Sequence, residues 1–209
     1  MYVKKISKIM ALTVLGIIGV IAVGYILLVV YFTISKDISK KFYSDISRYS
    51  LYRNAETVIE NFMVRDINEI WPEEILPEMD VQGYLMVYYN PWDANYLGYL
   101  TVEYDEAGYS RELERLAEYP STEYIGNYGA EGFEYYEVVA MSAHDDGFIY
   151  AITDGEKTII YVQLIFPGYA MDLEYDEYIP KEYLPKGLDI TGNNPTRQKM
   201  LENIKEKEI

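Results

Sequence analysis

The chain has 209 residues, with 18 Lys and Arg, 34 Asp and Glu, one His and no Cys, so its formal net charge is −16. The lack of Cys excludes disulfides, zinc thiolate sites and a thiol nucleophile. The acidic balance predicts no nucleic-acid partner, because phosphate backbones repel such a surface. Any histidine-based triad or metal site depends on His144 alone, which we interpret as a solvated turn residue.

Residues 9–34 form an apolar run without any charged or amide side chain. A helix rises 1.5 Å per residue, so this run exceeds the roughly 30 Å hydrocarbon core of a bilayer. A secretory signal is the alternative, since Lys4, Lys5 and Lys8 resemble a basic n-region, but its apolar part is usually only about 7 to 15 residues. We therefore predict a basic tail over residues 1–8 and an uncleaved transmembrane anchor that contacts the lipid bilayer through residues 9–34.

The orientation of this anchor is predicted from the domain that follows it. Positive charges on the two sides nearly balance, but long domains translocate largely regardless of charge. We therefore predict a single-pass protein of the cell membrane with its N-terminus in the cytoplasm and its C-terminal domain extracytoplasmic. The basic residues after the anchor are Lys36, Lys40, Lys41, Arg48 and Arg53.

A helix is predicted next, over residues 35–65, as a stalk that also packs on the domain. Apolar residues recur there every three or four positions, and neither Pro nor Gly interrupts the run before Pro72. The apolar positions are Ile38, Phe42, Ile46, Tyr49, Leu51, Ala55, Val58, Ile59 and Phe62.

Residues 66–192 are predicted to form an α+β domain with an antiparallel sheet of about five strands and flanking helices. A crossover helix capped by Ser110 is expected after the second strand, followed by a short strand or an irregular crossover near Glu123. Residues 193–209 are predicted to form a polar C-terminal helix capped by Asn194. The five strands are predicted at 84–89, 97–104, 135–143, 148–153 and 158–166, with Val139, Met141, Ile160, Val162 and Leu164 buried.

The order of these elements is helix, two strands, helical crossover and three strands. This order resembles that of the PAS-like and Cache sensor folds, which often hang from a membrane helix. A cystatin-like or NTF2-like helix with a meander gives nearly the same order. The resemblance is one of topology and rests on no residue motif.

Tyrosine is the most unusual component, with 24 of 209 residues. Rigid amphipathic rings suit half-exposed strands and binding surfaces alike. The loop after the first predicted strand combines aromatic and turn residues, so we predict it to be a binding surface for a peptide, a sugar or a cationic ligand, with Trp92 as its anchor. Its candidate residues are Asn90, Trp92, Asp93, Asn95 and Tyr96.

We expect a membrane-anchored extracytoplasmic binding or interaction module, not an enzyme, with a protein, peptide or sugar ligand. No calcium loop has the required spacing, and neither a P-loop nor a dinucleotide motif is present, so no metal or cofactor is predicted. A surface hydrolase that uses two carboxylates remains an alternative, as does an accessory subunit of a membrane complex.

Overall fold

The computed structural model describes residues 2–38, 40–50, 67, 69–89, 94–166, 171 and 173–207. The chain divides into two compact units, Met1–Lys40 and Lys41–Ile209. The first is dominated by one helix, and the second is an α+β domain.

The N-terminal helix runs from Tyr2 to Ile38. Within the described residues, its segment Thr13–Tyr31 is long and apolar enough to cross a membrane, and none of that segment is buried. One apolar helix of spanning length is therefore confirmed, a property that an anchor and a signal sequence share.

The predicted stalk helix is interrupted after Ile38, because a strand, β1 (Lys40–Tyr43), follows it, and residues 49–50 are helical again. Asp45 then begins a 3-10 turn, Ile46–Arg48, by accepting a hydrogen bond from the Ser47 amide at 3.1 Å. The apolar spacing that includes Phe42 predicted a helix, but Phe42 lies in β1. Its ring packs against the Tyr178 ring, with the ring centres 5.7 Å apart. The second half of the predicted helix, with Leu51, Ala55, Val58, Ile59 and Phe62, lies outside the described residues.

The sheet has six strands in the order β1-β2-β3-β6-β5-β4. The α+β prediction is confirmed, and the strand count is six instead of five because β1 was not foreseen. The pairings β2/β3, β3/β6, β6/β5 and β5/β4 are all antiparallel. The remaining strands are β2 (Met79–Tyr89), β3 (Asn95–Tyr104), β4 (Glu137–His144), β5 (Gly147–Thr153) and β6 (Thr158–Ile165).

Strand β6 lies between β3 and β5 and is buried on both faces, as its apolar sequence predicted. Ile160, Val162 and Leu164 belong to the core on one face of the sheet, while Ile159 and Tyr161 belong to the core on the other. Met141 is also buried, as predicted. Val139 is only half-buried, since it lies at a register shift of the edge strand β4.

The crossover helix spans Glu106–Ala117, so it begins before Ser110, which was predicted to cap it. Its cap is Asp105, whose carboxylate accepts a hydrogen bond from the Gly108 amide at 2.6 Å. Ser110 lies inside the helix and donates to the Glu106 carbonyl at 3.0 Å. Between this helix and β4 the chain is irregular apart from a 3-10 turn at Asn127–Gly129, so no strand forms near Glu123.

Ser121 and Thr122, in the segment that leads from the crossover helix to β4, form hydrogen bonds with the outer edge of β4. The Thr122 amide donates to the Met141 carbonyl at 2.8 Å, and the Met141 amide donates to the Ser121 hydroxyl at 3.0 Å. The Ala143 amide donates to the Thr122 hydroxyl at 2.7 Å. One backbone amide and two side-chain hydroxyls thus replace a neighbouring strand at this edge.

The C-terminal segment covers one face of the sheet through short turns at Tyr175–Tyr178 and Lys181–Tyr183. The C-terminal helix then spans Pro195–Lys207. The Asn194 side chain accepts a hydrogen bond from the Arg197 amide at 2.8 Å, so the predicted cap is confirmed.

Candidate binding surface

Three tyrosines from distant parts of the chain meet at one face of the sheet. Tyr99 belongs to β3, Tyr136 directly precedes β4, and Tyr183 ends a C-terminal turn. The Tyr183 ring lies edge-on to the other two, 5.7 Å from Tyr99 and 5.9 Å from Tyr136. All three are half-buried. We call Tyr99, Tyr136 and Tyr183 the tyrosine cluster.

Backbone and side-chain contacts fix the position of the cluster. The Tyr150 hydroxyl, deep in the core, donates to the Tyr183 carbonyl at 2.7 Å. The Tyr183 amide donates to the Pro180 carbonyl at 2.9 Å. A Cβ on Gly83 would lie 3.0 Å from the Tyr99 ring, so a glycine on β2 leaves room for that ring. Tyr99 and Tyr183 are therefore held in place by the fold itself.

The surroundings of the cluster are acidic. Partial burial, followed by the effects of Tyr183, Glu182 and Asp154, raises the pKa of Tyr136. Burial and Tyr183 raise the pKa of Tyr99 in the same way. Both phenols therefore stay neutral at physiological pH, beside carboxylates.

One of these carboxylates is itself held in the charged state. Partial burial acts to raise the pKa of Asp154, but hydrogen bonds from the following backbone outweigh it and lower the pKa. The amides of Glu156, Lys157 and Thr158 donate to its carboxylate at 2.9 to 3.2 Å. Asp154 and Glu182 are both exposed, so the rim of the cluster is anionic.

A second group of polar side chains lies within the opposite core of the sheet. The Tyr161 hydroxyl donates to Glu112 Oε1 at 2.5 Å, and the Tyr104 and Tyr161 hydroxyls are 2.7 Å apart. Arg115 donates from Nε to Glu112 Oε2 at 2.8 Å and from Nη2 to Glu112 Oε1. Burial is the main cause that raises the pKa of Tyr104 and of Tyr161.

The guanidinium of Arg115 also donates hydrogen bonds to the chain segment between β1 and β2, through the carbonyls of Glu69 and Ile70. Beside it lies an open pocket of about 260 Å³, lined by Glu69, Arg115, Glu118, Tyr119 and Pro120. Since the Glu112 carboxylate is fully engaged by Arg115 and Tyr161, we assign this network to structural stabilisation.

The predicted binding loop is described only at its end. Asn90, Trp92 and Asp93 lie outside the described residues, so their role stays a prediction. Asn95 and Tyr96 open β3, where they pair with Tyr89 and Tyr88, and both are buried. The Tyr96 ring packs on the Tyr88 ring at 5.1 Å. These two residues therefore contribute to the sheet and not to an exposed loop.

His144 ends β4, where it pairs with Gly147 across the hairpin and is half-buried. Within the described part of the chain, no three His, Asp or Glu side chains are grouped in a way that could hold a metal ion. Sequence reasoning missed the tyrosine cluster, because its members are far apart in the chain and the tyrosine content is high throughout.

Comparisons with protein-family models, curated proteins and solved structures match nothing to this chain. The functional argument therefore rests on the geometry of the chain itself.

Proposed function

We propose that the protein is a membrane-anchored binding module of the extracytoplasmic face, whose tyrosine cluster recognises a cationic group of a peptide or protein partner. The observation that carries the proposal is the group of half-exposed rings of Tyr99, Tyr136 and Tyr183 beside the exposed acids Glu182 and Asp154.

Aromatic faces attract cations through the ring quadrupole, and a nearby carboxylate adds to this attraction. The charge of the whole domain favours the same type of ligand. Beyond residue 35 the chain carries 15 basic and 34 acidic residues, a formal difference of −19. Such a field steers cations toward the domain and repels anions.

Anchoring is supported by the exposed apolar segment Thr13–Tyr31. None of this segment is buried within the described part of the chain, and a bilayer would cover its apolar side chains. A partner within the same membrane would make the protein an accessory subunit, which is one form of this proposal.

A sensory role is the second form of the proposal. A hairpin, β2–β3, is followed by a crossover helix and then by the meander β4–β5–β6. This chain order is the one on which the analogy with PAS-like and Cache sensors was based, except that β1 stands where the first part of the predicted helix was expected. The hydrolase alternative gains no support from Glu112, whose carboxylate is engaged by Arg115 and Tyr161.

The proposal is tested with full-length protein in nanodiscs of zwitterionic lipid, titrated with a tetralysine peptide and, separately, a tetraaspartate peptide. Tetralysine should bind and tetraaspartate should not. Tyr136→Ala should weaken tetralysine binding about two- to five-fold, the range expected for one exposed cation–π contact. The control is Tyr119→Ala, which removes a half-buried tyrosine that packs on the opposite face of the sheet. Equal affinities of wild type and Tyr136→Ala, or equal losses in both variants, would contradict the proposal.

A further inference from the structure

Strand β1 has the composition of a membrane-interface segment, with two lysines followed by two aromatic residues. The Phe42 side chain is 53% exposed, although its ring touches Tyr178. The Lys41 ammonium lies 5.1 Å above the centre of the Tyr88 ring. Cationic heads and aromatic rings side by side are typical of the headgroup layer, where each finds a suitable environment.

The covalent chain keeps this strand close to the apolar helix. The apolar run ends at Ile34 and the helix ends at Ile38, so the helix continues only about 6 Å beyond the run. Phe42 follows four residues later and therefore lies within about 14 Å of the helix end. These distances are upper limits on the reach of the chain. Lys40, Lys41 and Phe42 therefore reach the headgroup layer, about 5 to 8 Å thick on each side, when the strand lies along the bilayer surface.

Charge distinguishes the segment around β1 from the middle of the chain. Residues 35–53 hold five basic and two acidic residues, whereas residues 66–156 hold two basic and 21 acidic residues. An anionic bilayer attracts nearby Lys and Arg by about 1 kcal/mol each and repels an acidic surface. Charge complementarity therefore favours contact through β1.

We propose that β1 seats the domain on the anionic phospholipid headgroups of the bilayer that holds its own helix. Lys40 and Lys41 contact lipid phosphates, and Phe42 inserts its ring between the headgroups. This inference rests on the membrane anchoring proposed above. It adds a second lipid contact, made by the folded domain, which fixes how the domain faces the membrane.

The test uses the absence of cysteine in the natural chain. Full-length Phe42→Cys carries an environment-sensitive fluorophore and is reconstituted in vesicles of phosphatidylcholine alone or mixed with phosphatidylglycerol. The matched control is Ile125→Cys with the same fluorophore, because Ile125 is apolar and 52% exposed. Acrylamide, a neutral quencher, reports exposure to water without bias from the vesicle charge.

The label at position 42 should show a blue-shifted emission and at least two-fold weaker quenching in the anionic vesicles than the label at position 125. Adding Lys40→Glu and Lys41→Glu should restore quenching at position 42. Equal quenching at the two positions in protein that resists carbonate extraction would overturn the inference and leave the anchoring intact. Equal protection in both vesicle types would overturn the assignment to anionic lipid, and release by carbonate would overturn the anchoring and the inference together.

Discussion

Glu112 joins three parts of the domain through a single carboxylate. It lies on the crossover helix, accepts a hydrogen bond from Tyr161 on the central strand, and binds Arg115 through both oxygens. Arg115 continues the chain of contacts to the carbonyls of Glu69 and Ile70. A buried network of this kind stabilises a fold only when every member has its partner.

Glu112→Gln should lower the free energy of unfolding by about 2 kcal/mol. Removing one partner of a buried ion pair costs about 3 to 5 kcal/mol, and the partly exposed Arg115 reduces that loss. Urea unfolding followed by circular dichroism measures the change. Glu114→Gln, on the same helix but exposed, should stay within about 0.5 kcal/mol of wild type. Equal effects of the two variants would show that the network does not stabilise the domain.

The stability of the domain should depend on pH in the alkaline range. Burial raises the pKa of Tyr104 and Tyr161 above the ordinary value near 10, so the folded state retains protons that the unfolded state loses. The stabilisation is complete below about pH 10 and decreases as the pH rises further. When the melting temperature is measured from pH 8 to pH 12, that of the wild type should fall above pH 10. The melting temperature of Tyr161→Phe should fall less steeply over the same range. Parallel pH curves for wild type and Tyr161→Phe would refute this assignment.

Residue contacts of this kind could not be predicted from the sequence. Tyr161 and Glu112 lie 49 positions apart, and any of 34 acidic residues could have been the partner of that tyrosine. The same limit applies to Tyr99, Tyr136 and Tyr183. Their meeting depends on how the C-terminal turns return to the sheet, and no local pattern encodes that return.

At the scale of elements, two residues with good capping side chains, Asp105 and Ser110, compete to begin the crossover helix. Ser110 is a favourable cap residue, but Asp105 lies directly after β3 and its carboxylate reaches the Gly108 amide. A Cβ on Gly108 would lie 3.0 Å from that carboxylate oxygen. The glycine therefore permits the close approach of the cap.

Asp105→Ala should destabilise the domain by about 1 kcal/mol, since an amide of the first helical turn loses its acceptor. Ser110→Ala should change stability by less than about 0.5 kcal/mol, because Ser110 is exposed and alanine favours a helix interior. Thermal unfolding of both variants under one condition gives the comparison. If Ser110→Ala lost more stability than Asp105→Ala, Ser110 would be the cap, as the sequence predicted.

Strands were predicted well where both faces are apolar or where tight turns bound them. The strands predicted at 135–143, 148–153 and 158–166 agree with β4, β5 and β6 to within two residues at every end. Strand β1 was missed because four residues show too little alternation, and their spacing also fits a helix. Tertiary contacts of Phe42 and Lys41 decide its conformation.

For the whole molecule, the orientation in the membrane remains the main prediction. Tyr135→Cys, at a side chain that is 68% exposed, should react with a membrane-impermeant maleimide in intact cells. Ser7→Cys, in the predicted cytoplasmic tail, should react only after permeabilisation. This result follows if the acidic domain is translocated and the short basic tail is retained. Labelling of Ser7→Cys alone in intact cells would reverse the topology.

The bonding of β4 by Ser121 and Thr122 has a consequence for many copies confined to one membrane. Tethering concentrates proteins in two dimensions, where an open strand edge would recruit the edges of neighbouring copies and begin fibril-like growth. At Met141 and Ala143, backbone groups that could start such growth already have partners within the chain. Crowded copies should therefore remain separate at this edge, and the domain can be displayed densely without polymerising through it.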